Sequence, residues 1–128
     1  TPSMLCVEDY LDALNWVDDI GGLAAAIEKS QGNLQVLAEF VEQNDWISFL
    51  AKTPETCSNT SVCFELKADE DQVKAIIKLL ADEEVAFDIG AYRDAPAGLR
   101  IWCGATVEKS DLVALLPWLS WAYQQATA

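Results

Sequence analysis

Residues 60–72 read Thr-Ser-Val-Cys-Phe-Glu-Leu-Lys-Ala-Asp-Glu-Asp-Gln and contain the change of hydrophobic period on which the fold depends. Apolar side chains occupy every second position in the run Val62–Leu66, and a period of two is typical of a strand with one buried face. Asp69 and Gln72 then stand at the spacing of a capping-box variant, which opens a helix. The stretch therefore predicts a half-buried strand followed by a helix that ends near Glu84.

Similar patterns on both sides of this stretch complete the order of elements. Apolar residues at helical spacing, with Gly21 and Gly22 as a stop, predict two helices before it, and short apolar runs predict further strands. The predicted helices are 3–20, 23–44, 69–84 and a last helix from residue 110, and the predicted strands are 46–50, 60–66, 86–89 and 99–103. Pro117 should kink the last helix or delay its regular part. This order predicts an α+β fold with a mostly antiparallel sheet and helices packed on one face.

The composition excludes several classes of function. The 128 residues suffice for one compact domain, and no segment is apolar over the length that spans a bilayer. A net charge of −13 opposes nucleic-acid binding, because such binding needs lysine and arginine to neutralise phosphates. The sequence contains no histidine, which removes Ser-His-Asp and Cys-His catalysis and argues against zinc.

The cysteines and the first residues indicate a cellular compartment. Cys6, Cys57, Cys63 and Cys103 show no C-x-x-C spacing, and the start Thr-Pro-Ser lacks the basic and apolar regions of a secretory signal. We therefore predict a reducing, cytoplasmic setting in which the cysteines are structural.

Both arginines of the chain lie in residues 90–100, which read Gly-Ala-Tyr-Arg-Asp-Ala-Pro-Ala-Gly-Leu-Arg. Arginine presents a planar fork of donors that matches carboxylate or phosphate, so Arg93 and Arg100 around this loop suggest a site for a small doubly anionic ligand. Salt bridges to Asp88 or Asp94 explain the two arginines equally well. The spacing alone leaves both interpretations open.

A longer stretch carries a family resemblance. Residues 88–106, Asp-Ile-Gly-Ala-Tyr-Arg-Asp-Ala-Pro-Ala-Gly-Leu-Arg-Ile-Trp-Cys-Gly-Ala-Thr, closely resemble the small-domain substrate segment of phosphoserine aminotransferases. Residues 1–10, 58–62 and 116–119 are similar to the same family in the same order, so the resemblance covers the whole chain. Members of this family are fold type I, class V pyridoxal-phosphate enzymes that exchange an amino group between phosphoserine or glutamate and the matching keto acids in serine biosynthesis.

The resemblance implies a domain and three site residues. It implies that residues 1–128 form a single carboxy-terminal small domain, with 1–22 a helix leading in from a missing large domain. Arg100 is similar to the family arginine that grips the substrate α-carboxylate, and Arg93 to the basic residue that meets the substrate phosphate. Thr1 resembles a threonine that reaches the cofactor phosphate of the neighbouring subunit, which implies a homodimer. Ala91 is a departure, since the family often has a histidine near this position.

The resemblance also implies that the chain is catalytically incomplete. The Schiff-base lysine, the aromatic that stacks on the cofactor and the aspartate that pairs with its pyridinium nitrogen belong to the large domain. We therefore expect pyridoxal phosphate in the full-length parent, none bound to this chain, and no catalysis by the chain alone. The rival interpretation is a non-enzymatic regulatory module that binds amino acids, because the order β-α-β-β-α also occurs in such domains.

Overall fold

The computed structural model describes residues 3–128, and within this range four α-helices and three strands follow one another. The helices are α1 (Met4–Asp19), α2 (Gly22–Gln43), α3 (Glu70–Asp82) and α4 (Lys109–Thr127), and the strands are β1 (Ile47–Phe49), β2 (Ser61–Leu66) and β3 (Gly98–Trp102). Their order is α1-α2-β1-β2-α3-β3-α4. A short 3₁₀ turn, Pro54–Thr56, lies in the loop between β1 and β2.

The sheet is antiparallel throughout, with β2 between β1 and β3. Phe64 of β2 pairs with Phe49 on one side and with Leu99 on the other. Every second residue of β2, from Val62 to Leu66, is buried, as the alternation predicts. The inner sheet face and α2, α3 and α4 enclose one hydrophobic core. The predicted α+β fold, with an antiparallel sheet and helices on one face, is confirmed.

Two sets of side-chain hydrogen bonds hold the helices, one at the start of α3 and one in the middle of α2. Asp69 accepts a hydrogen bond from the backbone N–H of Gln72 at 2.8 Å, and the Gln72 side chain accepts from the Asp69 N–H at 2.9 Å. This is the predicted capping box at the start of α3, and it is confirmed. On α2, the buried amide of Asn33 donates to the carbonyls of Cys103 and Val107 at 3.1 and 2.9 Å. This side chain therefore ties α2 to the turn that follows β3.

Helix α1 differs from the other helices because it contributes no buried side chain. The apolar face of α1 is largely exposed, with Leu11 at 46% and Leu14 at 43% of their full accessibility. α1 contacts α2, and its first turn extends beyond this contact, since Met4 and Leu5 are 68% and 71% exposed. The chain therefore leaves one apolar helix face uncovered.

The predicted strand at 86–89 is wrong. The backbone turns into the left-handed region at Asp88, where φ is 53°, and an extended strand cannot continue through that conformation. A single bridge, between Gly90 and Leu99, is the only ladder contact this segment makes in the described part of the chain. Pro117 does not delay the regular part of the last helix, because α4 runs continuously from Lys109 to Thr127 with Pro117 inside it. Among residues 3–128, no helix is both long enough and apolar enough to cross a membrane.

Candidate anion-binding site

Arg100 lies at the centre of β3 and points away from the core. Its chain neighbours Leu99 and Ile101 are 1% and 3% exposed, so the alternation of the strand sends the guanidinium to the outer face of the sheet. The residue opposite it on β2 is Cys63. The side chain of Arg100 is 28% exposed, which leaves part of the guanidinium accessible to a ligand.

Two neighbouring residues hold the Arg100 guanidinium. Nη2 donates to the Asp88 carboxylate at 3.2 Å and to the Asp88 backbone carbonyl at 3.4 Å. The guanidinium carbon lies 4.9 Å from the centre of the Tyr92 ring, a cation–π distance. The backbone N–H of Arg100 donates to the Ile89 carbonyl at 2.8 Å. The segment before β3 therefore fixes both the backbone and the side chain of Arg100.

Tyr92 and Arg100 also influence each other electrostatically. The Tyr92 hydroxyl lies 3.5 Å from the Ser61 hydroxyl on β2. Its pKa is lowered from the ordinary value, mainly through this contact with Ser61 and then through the Arg100 guanidinium. The pKa of Arg100 is raised, mainly by Tyr92, with Asp88 adding to the effect. The guanidinium is therefore positively charged at neutral pH.

A cleft of about 400 Å³ opens beside Arg100. The strands contribute Ser61, Arg100 and Trp102, the segment 85–89 forms one wall, and the first turns of α4 form another with Asp111 and its neighbours. The volume suits a ligand of the size of an amino acid. Asp88 and Asp111 place negative charge in the same cleft. Among the residues described, Arg100 is the one cationic side chain that lines it.

Arg93 does not line the cleft beside Arg100. It is exposed in the turn after Tyr92 and lines a separate depression of about 270 Å³, together with Lys74 of α3. Within residues 3–128, no carboxylate lies within salt-bridge distance of Arg93. The structure therefore does not bring the two arginines into one cavity. The salt-bridge interpretation describes Arg100, which pairs with Asp88, and does not describe Arg93.

Thr1, the third predicted site residue, lies outside the described residues. Sequence reasoning named Asp88 as a possible partner of an arginine and missed Tyr92, Ser61 and the start of α4. Tyr92 stands eight positions before Arg100, and no regular period relates the two, so the sequence offered no signal for their contact.

Among residues 3–128, no group of three or more metal-ligating side chains is placed to hold a metal ion.

The fold is similar to a segment of known aminotransferase structures. No protein-family model matches the chain. The structure superposes on phosphoserine aminotransferase from Bacillus circulans subsp. alkalophilus with a TM-score of 0.83 at 20% identity, covering 98% of this chain and 34% of that one. A phosphoserine aminotransferase structure that reports radiation damage of the Schiff base gives a TM-score of 0.74 at 17% identity, covering 87% of this chain and 30% of that one. The fold is thus that of a segment of an aminotransferase.

Sequence comparison identifies which aminotransferase the segment resembles. The chain is 54% identical over 123 residues to the phosphoserine aminotransferases of Methanosarcina mazei and Methanosarcina barkeri, a match that covers 96% of the chain. The resemblance to the phosphoserine aminotransferase family is therefore confirmed, and the chain is homologous to a part of such a protein. It spans about a third of the length of the curated relatives it matches, 33% in each case.

Proposed function

We propose that this chain is the carboxy-terminal small domain of a phosphoserine aminotransferase and that it binds the amino-acid or keto-acid substrate. The observation that carries the proposal is the placement of Arg100 on the outer sheet face, at a cleft, in a chain 54% identical to phosphoserine aminotransferases. Residues 1–22 then lead in from a large domain, and the parent works in the cytoplasm as a homodimer. Thr1 reaches the cofactor phosphate of the neighbouring subunit, a role that rests on the resemblance alone.

Arg100 is the residue that grips the substrate α-carboxylate. A guanidinium has five N–H donors, and Asp88 engages Nη2, so other donors remain for a bidentate contact with a carboxylate. The positive charge of Arg100 draws an anion into a cleft whose other ionisable walls are acidic. A substrate carboxylate therefore has one favourable position in this cleft, beside Arg100.

Arg93 meets the substrate phosphate in this proposal. Its side chain is exposed in a turn, and no described carboxylate competes for it, so it is available to a phosphate. Because Arg93 and Arg100 line different depressions, the proposal requires the turn at Arg93 to reorient when substrate and the rest of the enzyme are present. Ala91, half-buried beside Arg93, offers no second cationic group to the phosphate.

The residues of this chain do not fit covalent attachment of pyridoxal phosphate, the cofactor that the family implies for the whole enzyme. Such attachment needs a lysine with a lowered pKa in a closed pocket. Asp71 instead raises the pKa of Lys74. Five of the six lysines form ion pairs with carboxylates on the surface: Lys29, Lys52, Lys67, Lys74 and Lys78. Lys109, the sixth, is exposed at the start of α4. A lysine outside this chain would therefore attach the cofactor, which supplies the electron sink for amino transfer.

A hybrid enzyme tests the proposal. This chain replaces the matching third of the Methanosarcina mazei enzyme, and we expect the hybrid to catalyse amino transfer. Arg100→Ala should lower kcat/KM by about 30- to 1,000-fold, because a bound carboxylate loses its charged partner. Lys78→Ala, which removes a surface cation on α3, is the matched control and should leave kcat/KM unchanged.

The same hybrid separates the roles of the two arginines. Arg93→Ala should lower kcat/KM for phosphoserine and leave the reaction with glutamate nearly unchanged, because glutamate has no phosphate. An equal loss with both substrates would contradict the phosphate role. An inactive hybrid, combined with saturable binding of amino acids by the chain alone, would instead favour the regulatory module.

A further inference from the structure

Asp88 stands out among the residues around the cleft because of its backbone. Within residues 3–128, two residues other than glycine have a positive φ, Glu84 at 55° and Asp88 at 53°. This region is unfavourable for side chains with a β-carbon, although aspartate tolerates it better than most. Strained backbone of this kind concentrates at functional sites.

The conformation of Asp88 has a visible effect on Arg100. The backbone bends at Asp88, and both the carboxylate and the backbone carbonyl of Asp88 accept hydrogen bonds from Nη2 of Arg100. The next carbonyl along the chain, that of Ile89, accepts the Arg100 N–H. Three acceptors from two consecutive residues therefore converge on Arg100.

The ion pair itself does not explain this arrangement as a source of stability. The Asp88 side chain is 93% exposed, and exposed ion pairs contribute little to folding because water screens them. Asp88 combines an unfavourable backbone conformation with an ion pair that contributes little, so a contribution to folding stability does not account for it. Its main effect is on the freedom of the guanidinium, which is confined between Asp88 and the ring of Tyr92.

We propose that Asp88 is a positioning residue, which holds the Arg100 guanidinium against Tyr92 so that its remaining donors are preorganised for the carboxylate of the substrate. The proposal rests on the proposed function of Arg100. A free arginine side chain loses much rotamer freedom when it binds a ligand, and a side chain that is already held loses less. Asp88 also places a negative charge near the bound carboxylate, so it supplies orientation and not attraction.

Substitutions at position 88 separate geometry from charge. Asp88→Gly keeps the left-handed backbone and removes the carboxylate, whereas Asp88→Asn keeps an acceptor oxygen and removes the charge. Glu84→Gly is the matched control, because it relieves the same backbone strain four residues away, at a residue with no hydrogen bond to Arg100 among those described. A positioning role predicts that Gly, and not Asn, disturbs Arg100.

The first readout uses the chain itself and does not depend on any enzyme activity. The Arg100 guanidinium contributes to the lowered pKa of Tyr92, so releasing it should raise the pKa of Tyr92 toward the ordinary value. NMR of ¹³Cζ-labelled tyrosine, with Tyr92→Phe to assign the signal, measures this pKa. We expect a rise in Asp88→Gly and none in Asp88→Asn or Glu84→Gly. An unchanged Tyr92 pKa in Asp88→Gly would overturn the proposal.

The second readout uses the hybrid enzyme. Asp88→Gly should raise KM for both phosphoserine and glutamate by about three- to tenfold with little change in kcat, and Asp88→Asn should leave KM unchanged or lower. A KM that does not rise in Asp88→Gly would overturn the positioning role. If Arg100→Ala left the hybrid fully active, the proposed function of Arg100 would fail, and the Tyr92 titration would still decide whether Asp88 orients the guanidinium.

Discussion

At the scale of single residues, Cys103 shows how burial sets chemistry. The residue follows β3, is fully buried, and its thiol donates to the Asn59 carbonyl at 3.4 Å. Burial raises the pKa of this thiol to about 11, and the thiol of Cys57 adds to the effect. Cys103 is therefore an unreactive core residue at neutral pH, in agreement with a structural role.

The raised pKa of Cys103 predicts how stability depends on pH. In the unfolded chain the thiol titrates near pH 9, and in the folded chain it stays protonated to about pH 11. Its contribution is fully present below pH 9 and is lost as pH rises from 9 to 11, by about 2 kcal/mol. Urea unfolding of the natural chain and of Cys103→Ser across this range should show a steeper loss in the natural chain. Parallel curves would mean that the thiol titrates normally.

At the scale of elements, the pairing of β2 with β3 depends on a glycine. A β-carbon on Gly98 would overlap the carbonyl oxygen of Phe64 on the neighbouring strand, so an alanine fits only if the strands move apart. We expect Gly98→Ala to lower the free energy of unfolding by 3 kcal/mol or more, on the order of an overpacked core. Gly32→Ala is the control, because nothing lies near its added β-carbon in helix α2 and alanine favours helices, so it should stabilise the chain by about 0.5–1 kcal/mol. A Gly98→Ala chain as stable as the natural one in urea would show that the sheet adapts.

Element patterns also explain how far the sequence could predict this structure. The alternation in β2 and the capping box of α3 are local, and both predictions are confirmed because local geometry decides them. The strand predicted at 86–89 is wrong because the left-handed backbone of Asp88, through which an extended strand cannot pass, leaves no periodic trace in the sequence. The outward direction of Arg100 follows from the alternation along β3, where the neighbouring Leu99 and Ile101 face the core. The separate depression at Arg93 depends on where α3 packs, which no local pattern encodes.

At the scale of the whole molecule, the apolar surface is distributed unevenly. The core beneath the sheet is complete, with Leu80, Val62 and Ala122 fully buried. The apolar side chains of α1 and the ring of Trp102, which is 58% exposed on the outer sheet face, lie outside that core. In the proposed function these surfaces pack against the remaining two-thirds of the enzyme. In the chain alone they are exposed to water, which is unfavourable for patches of this kind.

The last prediction concerns this uncovered surface. Met4, Leu5 and Val7 begin α1 with 68%, 71% and 39% exposure, and Trp16 follows at 37%. We expect the isolated chain to self-associate as a symmetric dimer, because twofold pairing covers the same patch on both copies. The net charge of −13 opposes association by repulsion, and salt screens that repulsion, so the dimer should strengthen as ionic strength rises. Sedimentation velocity at low and high salt measures this.

Variants assign the interface to α1. Met4→Gln with Leu5→Gln removes apolar surface without changing the net charge, and it should shift the equilibrium to monomer at every salt concentration. Val113→Gln, at an exposed apolar position on α4 where the side chain is 50% accessible, is the control and should leave the dimer intact. If the natural chain is monomeric at both salt concentrations, the exposed face of α1 is tolerated in water and the domain is self-sufficient. If the chain dimerises equally well with both glutamines in place, α1 is not the interface. The exposed sheet face around Trp102 is then the surface through which the two copies meet.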